Sequence, residues 1–335
     1  MRSWAWFSLG ASVTLALGSY VLMYHTDPGH ELRRMMAGSV LTSQHPQYAG
    51  LLLDDIELQE MRSVLDHLPM EASLQRIRTK SRQELSVDVE TMETANYTAK
   101  VMIVSDPTTI HLVPTRLENK GQPLSDLIRE NGGVAGINAG GFADEGGTGS
   151  GGQMIGIVIG DGKVYADENR NKRMLACGFT KTGQMITGNY SINELLAKGV
   201  TQAVSFGPQL MVDGKNMVTD SVNAAYGWAP RTAIGQQEDG SVVMIITDGR
   251  FYHDKRHRGA SMKDMAELFA KYDAVQAFAL DGGGSTTMMK DGELQLQPAT
   301  QTAVGMRYLP NAFIVIPHSP SDSKGERYYS EAERK

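Results

Sequence analysis

Hydrophobic and polar positions divide the 335-residue chain into regions of different character. No charged residue occurs from Trp4 to Tyr24, and about 20 apolar residues suffice to carry a helix across a bilayer. Arg2 lies on one flank, His25 and Asp27 on the other, and Trp4, Trp6, Tyr20 and Tyr24 fall near the ends, where aromatic rings favour the interface. The pattern predicts a single transmembrane helix over residues 1–24, with a cytoplasmic amino terminus and everything after Tyr24 outside the cell membrane. A cleaved signal peptide is the competing reading, because Ala16-Leu17-Gly18 offers small residues at cleavage spacing. The apolar run continues past that point to Met23, which favours an uncleaved anchor.

Residues 25–85 read as a helical stalk or accessory region. Leu51 to Glu84 is charged and helix-prone, with Pro69 interrupting it. Met61, Val64, Leu65 and Leu68 recur at helical spacing, so one face is expected to pack.

From Ser86 the period changes. Tyr97 to Val104 and Ile110 to Val113 read as strands. A short helix followed by an apolar strand ending on glycine then occurs three times. Ser125 is the expected N-cap of a helix over Asp126 to Glu130, and the strand Val134 to Ile137 leads to Asn138-Ala139-Gly140-Gly141-Phe142. Ser191 or Ile192 precedes a helix over Asn193 to Lys198, and Ala203 to Phe206 runs into Gly207-Pro208. Ser261 caps the third helix, with Met262, Met265, Ala266 and Phe269 on one side, and Val275 to Leu280 delivers Asp281-Gly282-Gly283-Gly284. Strand Val242 to Thr247, this helix and strand 275–280 have the order of a βαβ unit. If the two strands run parallel, Asp248 and Asp281 share one sheet edge, where ligands gather. The fold class expected is α+β: a mixed β-sheet core with flanking helices and glycine-rich loops over residues 86–318, preceded by the transmembrane helix and followed by a polar tail over 319–335.

Composition narrows the chemistry. Hydrophobic content of 41% and charge of 21% are those of a globular protein. A net charge of −6 offers no general attraction to nucleic acid, so phosphate recognition must come from local Arg, Lys or backbone N–H groups. The 36 glycines cluster, as they do where backbone must turn tightly or approach a ligand. The single cysteine, Cys177, sits among Leu175, Ala176, Gly178 and Phe179 and reads as a small buried hydrophobe. An exported protein without disulfides suits a Gram-positive bacterium better than an animal secretory pathway.

Gly282-Gly283-Gly284-Ser285-Thr286-Thr287 supplies N–H groups free of bulky side chains, suited to an oxyanion or a closely approaching sugar. Taken alone, Asp281 is equally well a turn aspartate, and Asp248-Gly249-Arg250 reads as a hairpin turn more often than as a site. Arg231 is a fork for phosphate oxygens or half of a structural ion pair. His253 and His257 fall in the basic segment His253-Asp254-Lys255-Arg256-His257-Arg258, read as a solvated rim in preference to a zinc site.

The ordered set Asn138…Phe142, Gly156-Ile157-Val158-Ile159, Gly162-Lys163-Val164, Gly207-Pro208, Arg231-Thr232-Ala233-Ile234-Gly235, Asp248-Gly249-Arg250 and Asp281-Gly282-Gly283-Gly284-Ser285-Thr286, closed by Val304-Gly305 and Leu309-Pro310-Asn311-Ala312, resembles the phosphodiester glycosidase family across residues 95–317. Bacterial members of that family are linked by description to exopolysaccharide. Two departures fall in one loop: Ala139 interrupts the family's Asn-Gly pair, and the glycine-rich stretch Gly146 to Gly152 is long.

The resemblance implies hydrolysis of a glycosyl, GlcNAc-like, 1-phosphodiester at the sugar C1–O bond. Its transition state has oxocarbenium character that a carboxylate stabilises. Phosphate is a weakly basic leaving group, so neutralising its charge replaces much of the usual demand for a strong acid. On this reading Asp281 acts at the anomeric carbon or activates water, Asp248 assists or orients, and Arg231 holds phosphate. Asn138, Gly140, Gly141, Gly207, Gly282, Gly283, Gly284, Ser285 and Thr286 form the substrate-binding surface. The sequence requires no cofactor, although calcium or magnesium among carboxylates and loop carbonyls stays open. The implied partners are a carbohydrate phosphodiester and, through the amino-terminal helix, the membrane; no nucleic acid is expected and no protein partner is indicated. Alternatives are a noncatalytic glycan-binding or assembly ectodomain and a glycosyl transferase acting on sugar phosphates.

Overall fold

The computed structural model describes residues 14, 17–74, 77, 84–143, 149–166, 169–300, 302 and 304–318. Most of the expected anchor (1–13, 15 and 16), part of the helix-prone segment (75, 76 and 78–83), Gly146 and Gly147 of the glycine-rich stretch and the tail 319–335 lie outside the described residues.

Among the described residues no helix is long and apolar enough to cross a membrane. This overturns the transmembrane helix expected over 1–24 and the single-pass location drawn from it. Thr26 marks a helix boundary just after that segment. Its hydroxyl donates to the Leu22 carbonyl at 2.6 Å and accepts from Gly29 N at 3.2 Å, ending one helix and capping the next. That next helix, Asp27–Leu41, is too polar to extend an apolar span.

The described chain forms two compact units. The first comprises the residues up to Leu68 together with Thr219–Trp228. Helices Asp27–Leu41, Asp55–Asp66 and Asp220–Tyr226 enclose Ala37, Ala49, Leu53, Leu58, Met61 and Ala225. Gly38 permits this packing, since a Cβ there would stand 2.0 Å from the Ala224 carbonyl oxygen. Asp54 and Glu57 close a reciprocal capping box on the Asp55–Asp66 helix. Arg33 is buried and satisfied by the Met23 and Leu52 carbonyls and the Glu57 carboxylate.

The second unit, Pro69–Val218 with Ala229 onward, contains the expected sheet core and flanking helices. Its seven-stranded sheet has the order Val87–Glu93, Thr98–Val104, Val242–Thr247, Thr232–Gln237, Ala274–Leu280, Gln209–Val212, Lys215–Asn216. Two five-stranded sheets accompany it, and all named strand pairs are antiparallel. One of these sheets centres on Met174–Thr180, the other on Ala135–Asn138. Met244 and Phe278 of the large sheet, Phe179 of the second and Ile137 and Phe313 of the third share one buried core. Phe179 and Phe313 meet edge to face at 6.1 Å. Cys177 lies fully buried in that core, where withdrawal from water raises its thiol far above the ordinary range.

Helix Met262–Lys271 packs Met265 and Phe269 inward on the other face of the large sheet. Gly235 accommodates it, because a Cβ there would stand 2.7 Å from the Phe269 ring. Ser261 caps this helix as expected, and Ser191 caps Ile192–Ala197. The Leu124–Glu130 helix instead begins after Pro123, not Ser125, with no side-chain cap bond.

The predicted βαβ order takes a particular form. Strands Val242–Thr247 and Ala274–Leu280 are parallel to each other but not adjacent. Thr232–Gln237 runs antiparallel between them, pairing Thr232 with both Ile246 and Leu280. The carboxyl ends of the outer two therefore flank the amino end of the middle one, at a single edge.

Candidate active site

That edge brings Asp248, Arg231 and Asp281 onto three neighbouring strand ends. Thr247 N donates to the Arg231 carbonyl at 2.9 Å and Arg231 N to the Thr247 hydroxyl at 3.0 Å. Gly283 N donates to the Pro230 carbonyl at 2.8 Å, folding the glycine loop back over the middle strand.

A strand from another sheet joins them. Asp281 N donates to the Ala139 carbonyl at 3.0 Å, and the Asn138 side chain donates to the Asp281 carbonyl at 2.6 Å. The Asn138 amide oxygen accepts from the Thr232 hydroxyl at 2.9 Å and from Thr287 N at 3.1 Å. Asn138 is 1% exposed, so its amide ties three chain segments together and faces no open space. Gly140 N donates to the Asn311 side-chain oxygen at 2.7 Å. Gly207 N donates to the Ala279 carbonyl at 3.1 Å, next to the Gly207-Pro208 cis bond.

Asp281 is only partly exposed. Withdrawal from water pushes its carboxyl up to about 6, opposed by a Ser285 hydrogen bond, by Arg307 and Arg250, and by Gly282 N–H. Desolvation winning over two cations marks a carboxyl held in a confined place, as reactive acids and bases are.

The two cations beside Asp281 are Arg250 and Arg307. Arg250 is pushed below its ordinary range by withdrawal from water and then by Arg307, while Asp281 pulls it upward. Arg250 and Phe251 both take left-handed φ values, 60° and 53°. Two such non-glycine residues in succession are a local strain that surrounding bonds must hold. Arg250 N donates to the Arg258 carbonyl at 3.0 Å and Phe251 N to the His257 carbonyl at 2.7 Å. The Arg307 guanidinium lies over the Phe142 ring at 5.4 Å. A Cβ on Gly283 would stand 2.9 Å from the Arg250 guanidinium, and one on Gly284 3.2 Å from that of Arg307. Those two glycines therefore let both arginines close on the loop.

Arg231 and Asp248 sit further inside the framework. Arg231 is 7% exposed and donates its Nε to the Ala260 carbonyl at 3.2 Å. Asp248 accepts from Thr98 N at 2.7 Å on one oxygen and pairs with His257 Nδ1 at 2.7 Å on the other. His257 is buried, a correction to the solvated rim expected for its segment. His253 Nε2 meets the Pro298 carbonyl at 3.1 Å. Among the described residues no group of three or more His, Cys, Asp or Glu side chains is arranged to hold a metal ion.

At this site two buried polar atoms have no hydrogen-bond partner: Thr286 Oγ1 on the glycine loop and Asn311 Nδ2 beside Gly140. Unmet donors are costly in a protein interior and expected where a ligand completes them.

A carboxyl, two arginines, a close-turning glycine loop and an unmet hydroxyl and amide gather here, groups suited to an anion and to hydroxyls. The family model for phosphodiester glycosidases matches residues 131–316, which contain all of these groups. The chain belongs to the phosphodiester glycosidase family. In this phosphodiester glycosidase the matched region includes every candidate site residue read from the sequence. An uncharacterized SPbeta prophage-derived protein, YomE, of Bacillus subtilis (strain 168) is 32% identical over 199 residues, covering 56% of this chain and 28% of that protein. The N-acetylglucosamine-1-phosphodiester alpha-N-acetylglucosaminidase of Mus musculus is 24% identical over 222 residues, covering 61% of this chain and 40% of its own length. The aligned region thus spans well under half of either relative. Among solved structures, the catalytic domain of the zebrafish N-acetylglucosamine-1-phosphodiester alpha-N-acetylglucosaminidase, auto-inhibited by its pro-peptide, aligns with a TM-score of 0.62 at 19% identity, covering 77% of this chain and 93% of that one. That likeness is one of fold.

Sequence reasoning missed Arg307 and Asn311 as site residues and gave Arg250 no role. Arg307 lies in an irregular segment with no periodic signal. Arg250 stood in a motif that by itself reads as a hairpin turn more often than as a site.

Proposed function

We propose that this phosphodiester glycosidase hydrolyses a GlcNAc-like glycosyl 1-phosphodiester at the sugar C1–O bond. The observation that carries the reading is the pair Arg250 and Arg307 flanking Asp281. Two guanidinium groups beside one carboxyl leave positive charge in excess, and the phosphate of a diester is an anion that matches it. Ionised Asp281 acts at the anomeric carbon, as nucleophile or as base for water, while positive charge builds on the ring. Arg250 and Arg307 offset the charge on the departing phosphate. Thr286 Oγ1 and Asn311 Nδ2 bind sugar hydroxyls or phosphate oxygens. Asn138, Gly140, Gly141, Gly207 and Ser285 shape the cleft, and Arg231 and Asp248 brace its floor. The activity for which the mouse relative is named supports this choice of sugar, and an exopolysaccharide-type glycan is the substrate context we propose.

The test is release of GlcNAc from methyl α-GlcNAc-1-phosphodiester. Wild-type protein should turn it over, and Asp281→Asn should lose activity while keeping a cooperative unfolding transition. Full turnover by the variant would sink the assignment. Binding of the diester without sugar release by wild type would favour a glycan-binding role.

A further inference from the structure

Arg307 has to be held where it stands. Its side chain is long, partly exposed and rooted in an irregular segment, and such a side chain left to solvent samples many rotamers. A cation that acts on charge beside Asp281 works best when it is fixed beforehand, because ordering it during the reaction costs part of what it gains.

Three groups close on its guanidinium. The Phe142 ring centroid is 5.4 Å from Arg307 Cζ, within the range in which a ring face attracts a cation. A Cβ on Gly149 would stand 2.7 Å from Arg307 Nε and 2.8 Å from Nη2, and one on Gly284 3.2 Å from Nη1. The cation is bounded by an aromatic face and by two stretches of backbone that glycine leaves open.

The segment that braces Asp281 also places the ring. Asp281 N donates to the Ala139 carbonyl at 3.0 Å, and three residues further on Phe142 pairs with Met154 in a short antiparallel ladder. Gly149 is held from the other side, by the neighbours of Arg307. Gly121 N donates to the Ser150 carbonyl at 2.8 Å, and Gln122 and Leu309 exchange main-chain bonds of 3.0 and 2.8 Å. A Cβ on Gly151 would stand 2.3 Å from the Tyr308 carbonyl oxygen. Gly149 and Gly151 take left-handed φ values of 65° and 62°, which suit glycine. Gly149 to Gly151, the end of the glycine-rich stretch noted in the sequence, thus lie along Arg307 and Tyr308.

We infer that Phe142 is a positioning residue, its ring and the Gly149 backbone holding the Arg307 guanidinium on the glycine loop beside Asp281; its consequence for turnover rests on the hydrolytic reading above. The effect passes through Arg307. Arg307 and Arg250 are the charged neighbours of Asp281, and both favour its ionised form, as do the hydrogen bonds from Ser285 and Gly282 N–H. With Arg307 released, burial is opposed by one cation fewer, and the carboxyl ionises at higher pH.

The experiment uses the full chain and two readouts. One is kcat/KM for methyl α-GlcNAc-1-phosphodiester against pH. The other is a carbon-13 NMR titration of the Asp281 carboxyl, its signal assigned by its loss in Asp281→Asn. Phe142→Leu keeps apolar bulk and removes the ring face. It should lower kcat/KM about tenfold and move both the acidic limb and the Asp281 titration upward from about pH 6. Phe142→Tyr keeps the face and should recover most of both. Gly149→Ala displaces the guanidinium without touching the ring and should shift the titration in the same direction. A packing defect alone would lower turnover by one factor at every pH and leave the carboxyl where it is. A titration unmoved in both Phe142→Leu and Gly149→Ala would overturn the inference, while turnover by the unaltered protein keeps the hydrolytic reading standing. A shifted titration in a protein whose unaltered form releases no GlcNAc would overturn the hydrolytic reading and uphold the positioning role.

Discussion

The Asn138 side-chain amide donates to the Asp281 main-chain oxygen at 2.6 Å, so the strand that ends at Asn138 holds the first residue of the glycine loop in place. Its oxygen meanwhile accepts from Thr232 and Thr287. Asn138→Leu leaves one hydroxyl, one N–H and one carbonyl without their partner. The expected loss is about 3 kcal/mol or more of unfolding free energy, since each of the three unmet buried groups costs about 1–3 kcal/mol. Urea denaturation at constant m-value measures it, and a loss below experimental error would contradict the bracing role.

Asp281 should make stability and activity move in opposite directions with pH. Its folded carboxyl sits at about 6, above the ordinary 3.8. Between those values the native state keeps a proton that the unfolded chain has lost. Stability contributed by the protonated form is therefore complete below about pH 4 and declines as pH rises through 6. The span corresponds to about 2–3 kcal/mol. Asp281→Asn should match wild type near pH 4 and be more stable at pH 8. Turnover by wild type should instead rise through pH 6 as the carboxyl ionises. Parallel thermal melts and a pH–rate profile test both directions together.

His257 pairs with Asp248 at 2.7 Å, both side chains largely buried, at the base of the loop that carries Arg250. His257→Ala removes the partner of an enclosed carboxylate. A cost of about 1–3 kcal/mol is expected. The carbonyls of His257 and Arg258 that hold Arg250 and Phe251 belong to the segment this pair anchors, so kcat/KM should drop as well. His257→Gln, which can still donate to Asp248, should recover part of both losses. Equal behaviour of the two variants would argue against the hydrogen bond as the cause.

Gly283 has φ of 61°, and a Cβ there would stand 2.9 Å from Arg250. Gly283→Ala should cost about 1–2 kcal/mol through its left-handed backbone. It should also lower kcat/KM at least about tenfold by displacing an arginine proposed to bind phosphate, a loss of about 1.4 kcal/mol in transition-state binding. Gly292→Ala provides the control. Its φ is 81°, with nothing within 4 Å of the added carbon, so it should show the stability loss without the kinetic one.

Much of this site is written locally in the chain. The apolar runs 242–247 and 275–280, the cap at Ser261 and the inward face of the following helix are period signals that need no knowledge of distant residues. They placed Asp248 and Asp281 at strand ends, and Gly282 to Gly284 declared a close backbone approach. The apolar composition around Cys177 likewise matched its place in the core.

Other features depend on which segments meet. Thr232–Gln237 enters between the two parallel strands, so Arg231 arrives at the same edge only because a third strand is inserted there. Asn138 joins from another sheet across more than a hundred residues of chain. His257 is buried because it finds Asp248, though its neighbours in sequence are charged. Arg307 reaches Asp281 from an irregular segment that carries no periodic pattern. At the amino terminus the absence of charge suggested a span, while the Thr26 cap showed where its helix stops. The sequence by itself determined the elements and the chemical groups they end on, because secondary structure and turns answer to neighbours a few residues away. Tertiary structure decided which carboxyl is enclosed, which arginines face it and which polar atoms stay unmet, because desolvation and charge depend on distances in space that no spacing along the chain records.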